Sequence, residues 1–461
     1  MYTDRLAGYA AAFRYEQLPA EAVAAAKVIM LDTLGAMLLG SLPMYAGGRL
    51  TAELARSLGD RPEPPPASGH PAPKACTVIA GGFKADAASA ALANGVLGYQ
   101  ADVEGGGVCR QHAAAVLVPT VLTLGEREQA DGRALIAALA IGYDVAARID
   151  RAAEPGVHFA RSFHPSAVFG HFGAAATAGH LLGLDGRRMA HALGLAGLNA
   201  SGLAVWMQSA AEDPRPYVIG MAAHHGVVAA LLAQMGMGGP LGILDDGKYS
   251  IYEAFTGAVH LDELTRELGE VFWITRHSGF KPYPCCGGGA IHTAIAALLK
   301  IVRENDLSPD DIVEIVDRVT PGQDDPVLLK SHCTEYVLAV AAGRGEIAPD
   351  AIVVDYRAED PCVGELFGRT RLVADEAVAA LGPAAATVEV RTRDGRFFRE
   401  TGVHRPGSPE APQTPEQLEA KFLRLATTRI GWPAAERVRD LVRRLEELPD
   451  AAELVALLST H

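Results

Sequence analysis

Apolar residues recur at helical spacing along most of the first 240 positions. The clearest stretch runs from Glu21 to Leu39, where Val23, Ala26, Val28, Ile29, Leu31 and Leu34 make a broad apolar face. Residues 1–55 together predict two helices. Residues 58–75 are rich in Pro, Gly and Ala and read as a loop, followed by a short extended piece at Cys76–Ala80. Small-residue helices are predicted over 85–99, 113–124, 131–151, 167–182, 189–200 and 220–235. Glu212–Tyr217, with Pro214 and Pro216, interrupts the pattern.

The periodicity changes after residue 268. Ile312–Val319 and Ala386–Thr392 alternate apolar and polar residues as half-buried strands do. Asp394-Gly395 is a hairpin turn signal leading into a partner strand at 396–400. Helices are predicted near 335–342 and 375–380, and the helical pattern returns over 415–460 behind Thr414-Pro415-Glu416-Gln417. The expected fold is mainly α with a second, α+β domain. A large helical domain comprises residues 1–267 and 403–461, and a smaller α+β lid comprises residues 268–402.

Composition adds limits. The chain has 461 residues, 49% of them hydrophobic, and a net charge of −14 without a lysine or arginine block, which argues against a nucleic-acid partner. No uninterrupted apolar run reaches membrane-spanning length and no basic leader precedes a cleavage site, so no membrane partner and a cytoplasmic location are expected. Six cysteines are too few for a disulfide scaffold, and the adjacent pair Cys285-Cys286 is unsuited to structural zinc. Free thiols and no metal are expected.

The most constrained stretch is Phe280-Lys281-Pro282-Tyr283-Pro284-Cys285-Cys286 and the glycines 287–289. Its prolines favour extended backbone, its glycines permit close approach of a ligand, and a helix follows whose N-terminus can bind an anion beside Lys281. The same residues also fit a rigid strand-to-helix turn with a solvated lysine. Other loop-to-helix junctions carry Asp102 and His112, His164, and Arg215. The positive end of a helix dipole favours a neutral imidazole, which can exchange protons near pH 7. Each also has a plainer reading: His112 as a cap, His164 as a surface residue, Asp102 as a turn aspartate, Cys286 as a small buried apolar group. His224-His225 reads as packing, and His332 and Tyr336 as ordinary interface residues.

Together these stretches resemble the MmgE/PrpD family, which includes 2-methylcitrate dehydratase, cis-aconitate decarboxylase and iminodisuccinate epimerase. The matching pieces are Val28–Gly35, Ala93-Asn94-Gly95 with Asp102 and His112, Phe163–Gly170, Gly220–His224 and Phe280–Cys285. The resemblance implies a homodimer with a site between a helical domain and a lid, and no metal or organic cofactor. It places the family's pocket aspartate on Asp102, its histidines on His112 and His164, and its lid-side lysine on Lys281. Its lid tyrosine falls on Tyr336 with the spacing shifted by one. The chain departs from the pattern in the usual acidic run with a following threonine, reduced here to Asp102-Val103-Glu104-Gly105-Gly106, and at three further positions: Tyr99 and Cys286 where histidine is usual, the latter in decarboxylase-type members, and Arg215 where lysine is usual. The implied activity is a lyase acting on a small polycarboxylate, a dehydration or related elimination through proton abstraction next to a carboxylate group, with Arg215, Tyr336, Cys286 and Tyr99 as substrate-binding positions. The alternatives are a dicarboxylate epimerase using the same carbanion chemistry, or an inactive carboxylate-binding relative.

Overall fold

The computed structural model describes residues 1–59, 74–153, 161–245, 247–256, 259–284 and 288–459. Cys285 and Cys286, and most of the loop expected at 58–75, lie outside these residues.

Three helices, not two, open the chain: α1 (Tyr2–Ala12), α2 (Ala20–Gly40) and α3 (Ala46–Gly59). The third is hidden in the sequence by its glycine pair. Its first turn is held from outside, where Asp213 Oδ1 accepts the Gly47 amide at 2.8 Å. A two-stranded ladder, β1 (Cys76–Val78) with β2 (Phe83–Ala85), precedes α4 (Ala87–Gln100). The helical body continues through α5 (Ala113–Glu128), α6 (Gly132–Ala152), α7 (Pro165–Leu181), α8 (Gly186–Leu198), α9 (Pro214–Gln234) and the short α10 (Ile251–Phe255). Asp86, Asp131 and Asp185 cap their helices by accepting amide hydrogens of the first turn.

The start of α9 corrects the sequence reading. Pro214-Arg215-Pro216 begins the helix rather than interrupting it. First-turn amides have no acceptor within the helix, so proline there loses nothing. Arg215 is thereby fixed on the first turn, fully buried.

The lid contains α11 (Gly289–Glu304), β3 (Ile312–Val319), α12 (Thr334–Arg344), α13 (Tyr356–Glu359), α14 (Pro361–Gly368), β4 (Thr370–Ala374), α15 (Glu376–Ala379), β5 (Ala386–Thr392) and β6 (Phe397–Gly402). Its sheet has the order β4-β3-β5-β6, with β3 parallel to β4 and antiparallel to β5, and α11 packs against β5 and β6. Residues 415–458 form α16 (Pro415–Arg443), broken at Gly431 (φ 73, ψ 166), and α17 (Ala451–Leu458). The helix α16 packs on α2, and α17 on α5.

Two apolar cores result. One fills the helical body. The other joins Val337, Leu338 and Val388 of the lid to Ala36, Leu39 and Tyr45 of the body and Leu425 of α16. The long helices α2 and α9 are apolar enough to cross a membrane, but 72% and 56% of their most apolar windows are buried inside the protein. With lid and body joined by shared apolar packing, polar groups at their junction can be held without water.

Candidate active site

The segment between α4 and α5 turns sharply at Asp102, whose φ of 49° is unusual for a residue with a side chain. It is held from behind. Asp32 of α2 accepts the Gly105 amide at 2.6 Å and pairs with Lys421 of α16 at 2.5 Å. Lys421 also donates to the Val103 carbonyl at 2.7 Å. A second segment crosses in front: Gly106 N–H donates to the Gly279 carbonyl at 2.8 Å and Ser278 N–H to the Gly107 carbonyl at 2.6 Å. A Cβ on Gly105 would stand 2.5 Å from Phe280 Cα, and one on Gly279 (φ 82) 1.8 Å from the Gly407 oxygen. Only glycine permits this crossing.

The crossing brings Lys281 against the acidic segment. Its ammonium pairs with Asp102 Oδ1 and lies 3.4 Å from Glu104 Oε1. The other oxygen of Asp102 lies 3.3 Å from Arg215 Nη1. Arg215 Nε lies 3.6 Å from Glu212, and its guanidinium covers the Tyr99 ring at 4.6 Å. His112 Nδ1 is 2.8 Å from Glu104 Oε1, and the His112 amide donates to Ser166 Oγ at 2.8 Å. A row of rings continues from there. His112 stacks on His164 at 5.9 Å, His164 faces Trp206 at 5.7 Å, and Trp206 meets His332 at 6.3 Å.

Burial and charge drive these groups apart. Burial alone would raise the Asp102 carboxyl, but Lys281 and Arg215 outweigh it and hold the group well below the usual carboxylate range. Burial alone would depress the Lys281 ammonium, yet Asp102 and Glu104 carry it above its ordinary value. His332 moves the other way. Burial pushes its imidazole down to about 4, with Arg215 and Lys281 adding to the shift and Asp102 opposing it. A permanently charged ammonium and a neutral imidazole therefore sit in the field of one buried carboxylate.

A cavity of about 690 Å³ opens on this cluster, lined by Glu104, His112 and Lys281, by Gly288 and His292 on the lid side, and by Arg405 just beyond β6. A smaller one, of about 200 Å³, shares Gly288, Gly289 and Pro383 with it and contains His332. Among the described residues, no three His, Cys, Asp or Glu side chains gather as a metal-binding group.

Family comparison accords with this layout. The model for the MmgE/PrpD N-terminal domain matches residues 4–263, and that for the C-terminal domain matches residues 283–447. The chain belongs to the MmgE/PrpD family. The resemblance read from its motifs is thus borne out, as is the fold class of a mainly α protein with an α+β domain. Similar MmgE/PrpD relatives include a cis-aconitate decarboxylase of Homo sapiens, 27% identical over 80% of this chain and 79% of its own length. Another is the cis-aconitate decarboxylase-like protein oryM of Aspergillus oryzae, 24% identical over 99% of this chain and 97% of its own length. A third is a cis-aconitate decarboxylase of Aspergillus terreus, 24% identical over 99% and 96%.

The structure brings Asp102, His112, His164, Lys281, Arg215 and Tyr99 into one cluster. Two positions need correction. Tyr336 is fully buried in the lid, its hydroxyl donating towards the carbonyls of Ala351 (2.6 Å) and Val354 (2.9 Å) and accepting the Tyr356 amide at 3.3 Å. It is part of the lid core and does not line either cavity. Arg215 is likewise absent from both walls. It sits behind them, paired with Asp102 and Glu212; Asp102, His164 and Tyr99 line neither cavity either, so its link to the larger one runs through Asp102 and then Lys281. Cys286 lies outside the described residues. Two members of the cluster were not singled out from sequence. Glu104 stood in the acidic run beside Asp102, which was its only signal. His332 sits four residues before Tyr336 and faces the cluster instead of it.

Proposed function

We propose that this protein is a cofactor-independent lyase of small polycarboxylic acids, working through a carbanion next to a carboxylate. One arrangement carries the reading: Lys281 pairs with Asp102 beside the Glu104–His112 couple, and these surroundings keep Lys281 charged while burial pushes His332 down. Titratable groups pushed apart by their surroundings are how a site obtains an acid and a base at one pH. In this reading the Lys281 ammonium neutralises charge that develops on the substrate carboxylate. Glu104 accepts the Nδ1 hydrogen of His112, which leaves Nε2 as the basic nitrogen that takes or returns the proton at carbon. His332 is the second proton carrier.

The cavity supports an anionic substrate. Among the described residues Lys281, Arg110, Arg276 and Arg405 line it with Glu104 and Glu410; Asp102 and Asp150 pair with Lys281 and Arg110 from behind, and Arg276 and Arg405 carry no ion pair there, in a chain of net charge −14. Such local reversal of sign concentrates anions. Within the lyases, the names of the relatives favour decarboxylation of an unsaturated tricarboxylate. Loss of CO2 leaves an electron pair delocalised into a neighbouring carboxylate, which Lys281 stabilises until a proton is delivered to carbon.

The test is incubation with cis-aconitate, with hydroxylated tricarboxylates and with dicarboxylates in deuterated water, followed by NMR. Release of CO2 or of water with formation of an alkene supports the lyase. Deuterium exchange without net conversion would replace it with an epimerase, and binding without either would replace it with an inactive carboxylate binder.

A further inference from the structure

Asp317 is the buried ionisable residue of strand β3. Its side chain is 1% exposed, and its Oδ1 has no hydrogen-bond partner among the described residues. It lines the cavity of about 200 Å³ that also holds His332. Two helices begin on the same wall. Gly289, Ala290 and Ile291 open α11, of 16 residues, and Thr334 opens α12, of 11 residues. First-turn amides have no acceptor within their helix, and the positive ends of both dipoles meet here. A carboxylate aspartate in such a place would satisfy the helix ends, but this one is left unpartnered beside them.

We propose that this cavity is a second carboxylate subsite of the active site, in which the start of α11, Thr334 and Asp317 together hold one substrate carboxylate. The proposal rests on the lyase reading and sharpens it to tricarboxylates. Two carboxylates are held in the Lys281 cavity, and the third reaches past Gly288 and Gly289, which both cavities share. The protonation state follows from the surroundings. Burial raises the Asp317 carboxyl well above its usual range, and the charge acting on it is another carboxylate, Glu335. A carboxylic acid can donate to a carboxylate, as an ionised one cannot. Apolar Ile291, Val319 and Leu329 line the rest of the cavity and suit a short aliphatic arm.

Calorimetric titration tests this without relying on turnover. The probes are two pairs that differ by one carboxymethyl arm: succinate with propane-1,2,3-tricarboxylate, and maleate with cis-aconitate. The wild-type protein should prefer the tricarboxylate of each pair. Asp317→Ala should weaken tricarboxylate binding roughly 10- to 100-fold, the scale of one lost hydrogen bond to a charged group, and leave the dicarboxylates unchanged. Asp317→Asn, which keeps a donor, should retain the preference. The proposal is overturned if wild type does not distinguish the members of a pair, binding of neither included, or if Asp317→Ala keeps the preference. Loss in Asp317→Asn equal to that in Asp317→Ala would overturn it too, because the group would then act as an ionised acceptor. Lys281→Gln should weaken all four probes. If it does not, the carboxylate-lyase reading fails while the Asp317 comparison stands by itself.

Discussion

Lys281 and Asp102 form a pair in which each residue holds the other in its charged state. Replacing Lys281 by Gln should lower turnover about 10²–10⁴-fold, the usual scale for a lost proton-transfer or charge-stabilising group. It should also destabilise the fold by about 3–5 kcal/mol, because a buried carboxylate loses one of its two cations. Steady-state kinetics and urea unfolding separate the two effects. Tyr336→Phe should behave in the opposite way. Its hydroxyl serves the Ala351 and Val354 carbonyls, so stability should fall by about 1–3 kcal/mol with the kinetics of the folded enzyme unchanged. The motifs made Asp102, His112, His164 and Lys281 legible because each stands at a loop-to-helix junction, where side chains converge. His332 stands at such a junction too, yet the feature that matters, its approach to Asp102 across the domain junction, exists only in the folded chain. Tyr336 was reached through the resemblance alone, with its spacing shifted by one. Its ring points into the lid because position 336 faces the inside of α12.

At the scale of elements, the crossing of the 102–108 segment over Ser278–Phe280 is only as rigid as its support. Asp32→Asn or Lys421→Met should each leave one buried group without its partner and cost about 3–5 kcal/mol. Turnover should fall as well, although neither side chain is placed in the cavity. Melting temperature and kinetics of the two single variants and the double variant would show it, the double being less damaged than the sum of the singles. Strands β3 and β5 were readable because they alternate. Strand β4, Thr-Arg-Leu-Val-Ala, is too short to show a period and is fixed by its parallel ladder with β3. The same holds for the start of α9, where two prolines read as a break until the missing amide acceptors of a first turn are considered.

At the scale of the whole molecule, acid should unfold this protein early. His332 is pushed down to about 4 and His171 to about 3, both chiefly by burial. The unfolded chain takes up these protons near pH 6.5 and the folded one does not, so stability should fall steadily from about pH 6.5 towards pH 4. Denaturation at pH 7.5 and pH 5 should show a smaller loss in His171→Asn than in wild type. We also propose a homodimer through the helical body. Leu198, Met235 and Met237 stand exposed at the ends of the packed helices α8 and α9, and light scattering at micromolar concentration should give twice the chain mass. One further consequence concerns synthesis. Lys421 lies 389 residues beyond the Asp32 it neutralises. While the ribosome is still adding α16, the nascent chain already carries Asp102, Glu104, His112, Arg215, Lys281 and His332, but Asp32 has no cation and the segment it braces cannot settle. Catalytic competence therefore arrives with the last helices, and a prematurely released chain holding every chemical group of the site should be inactive.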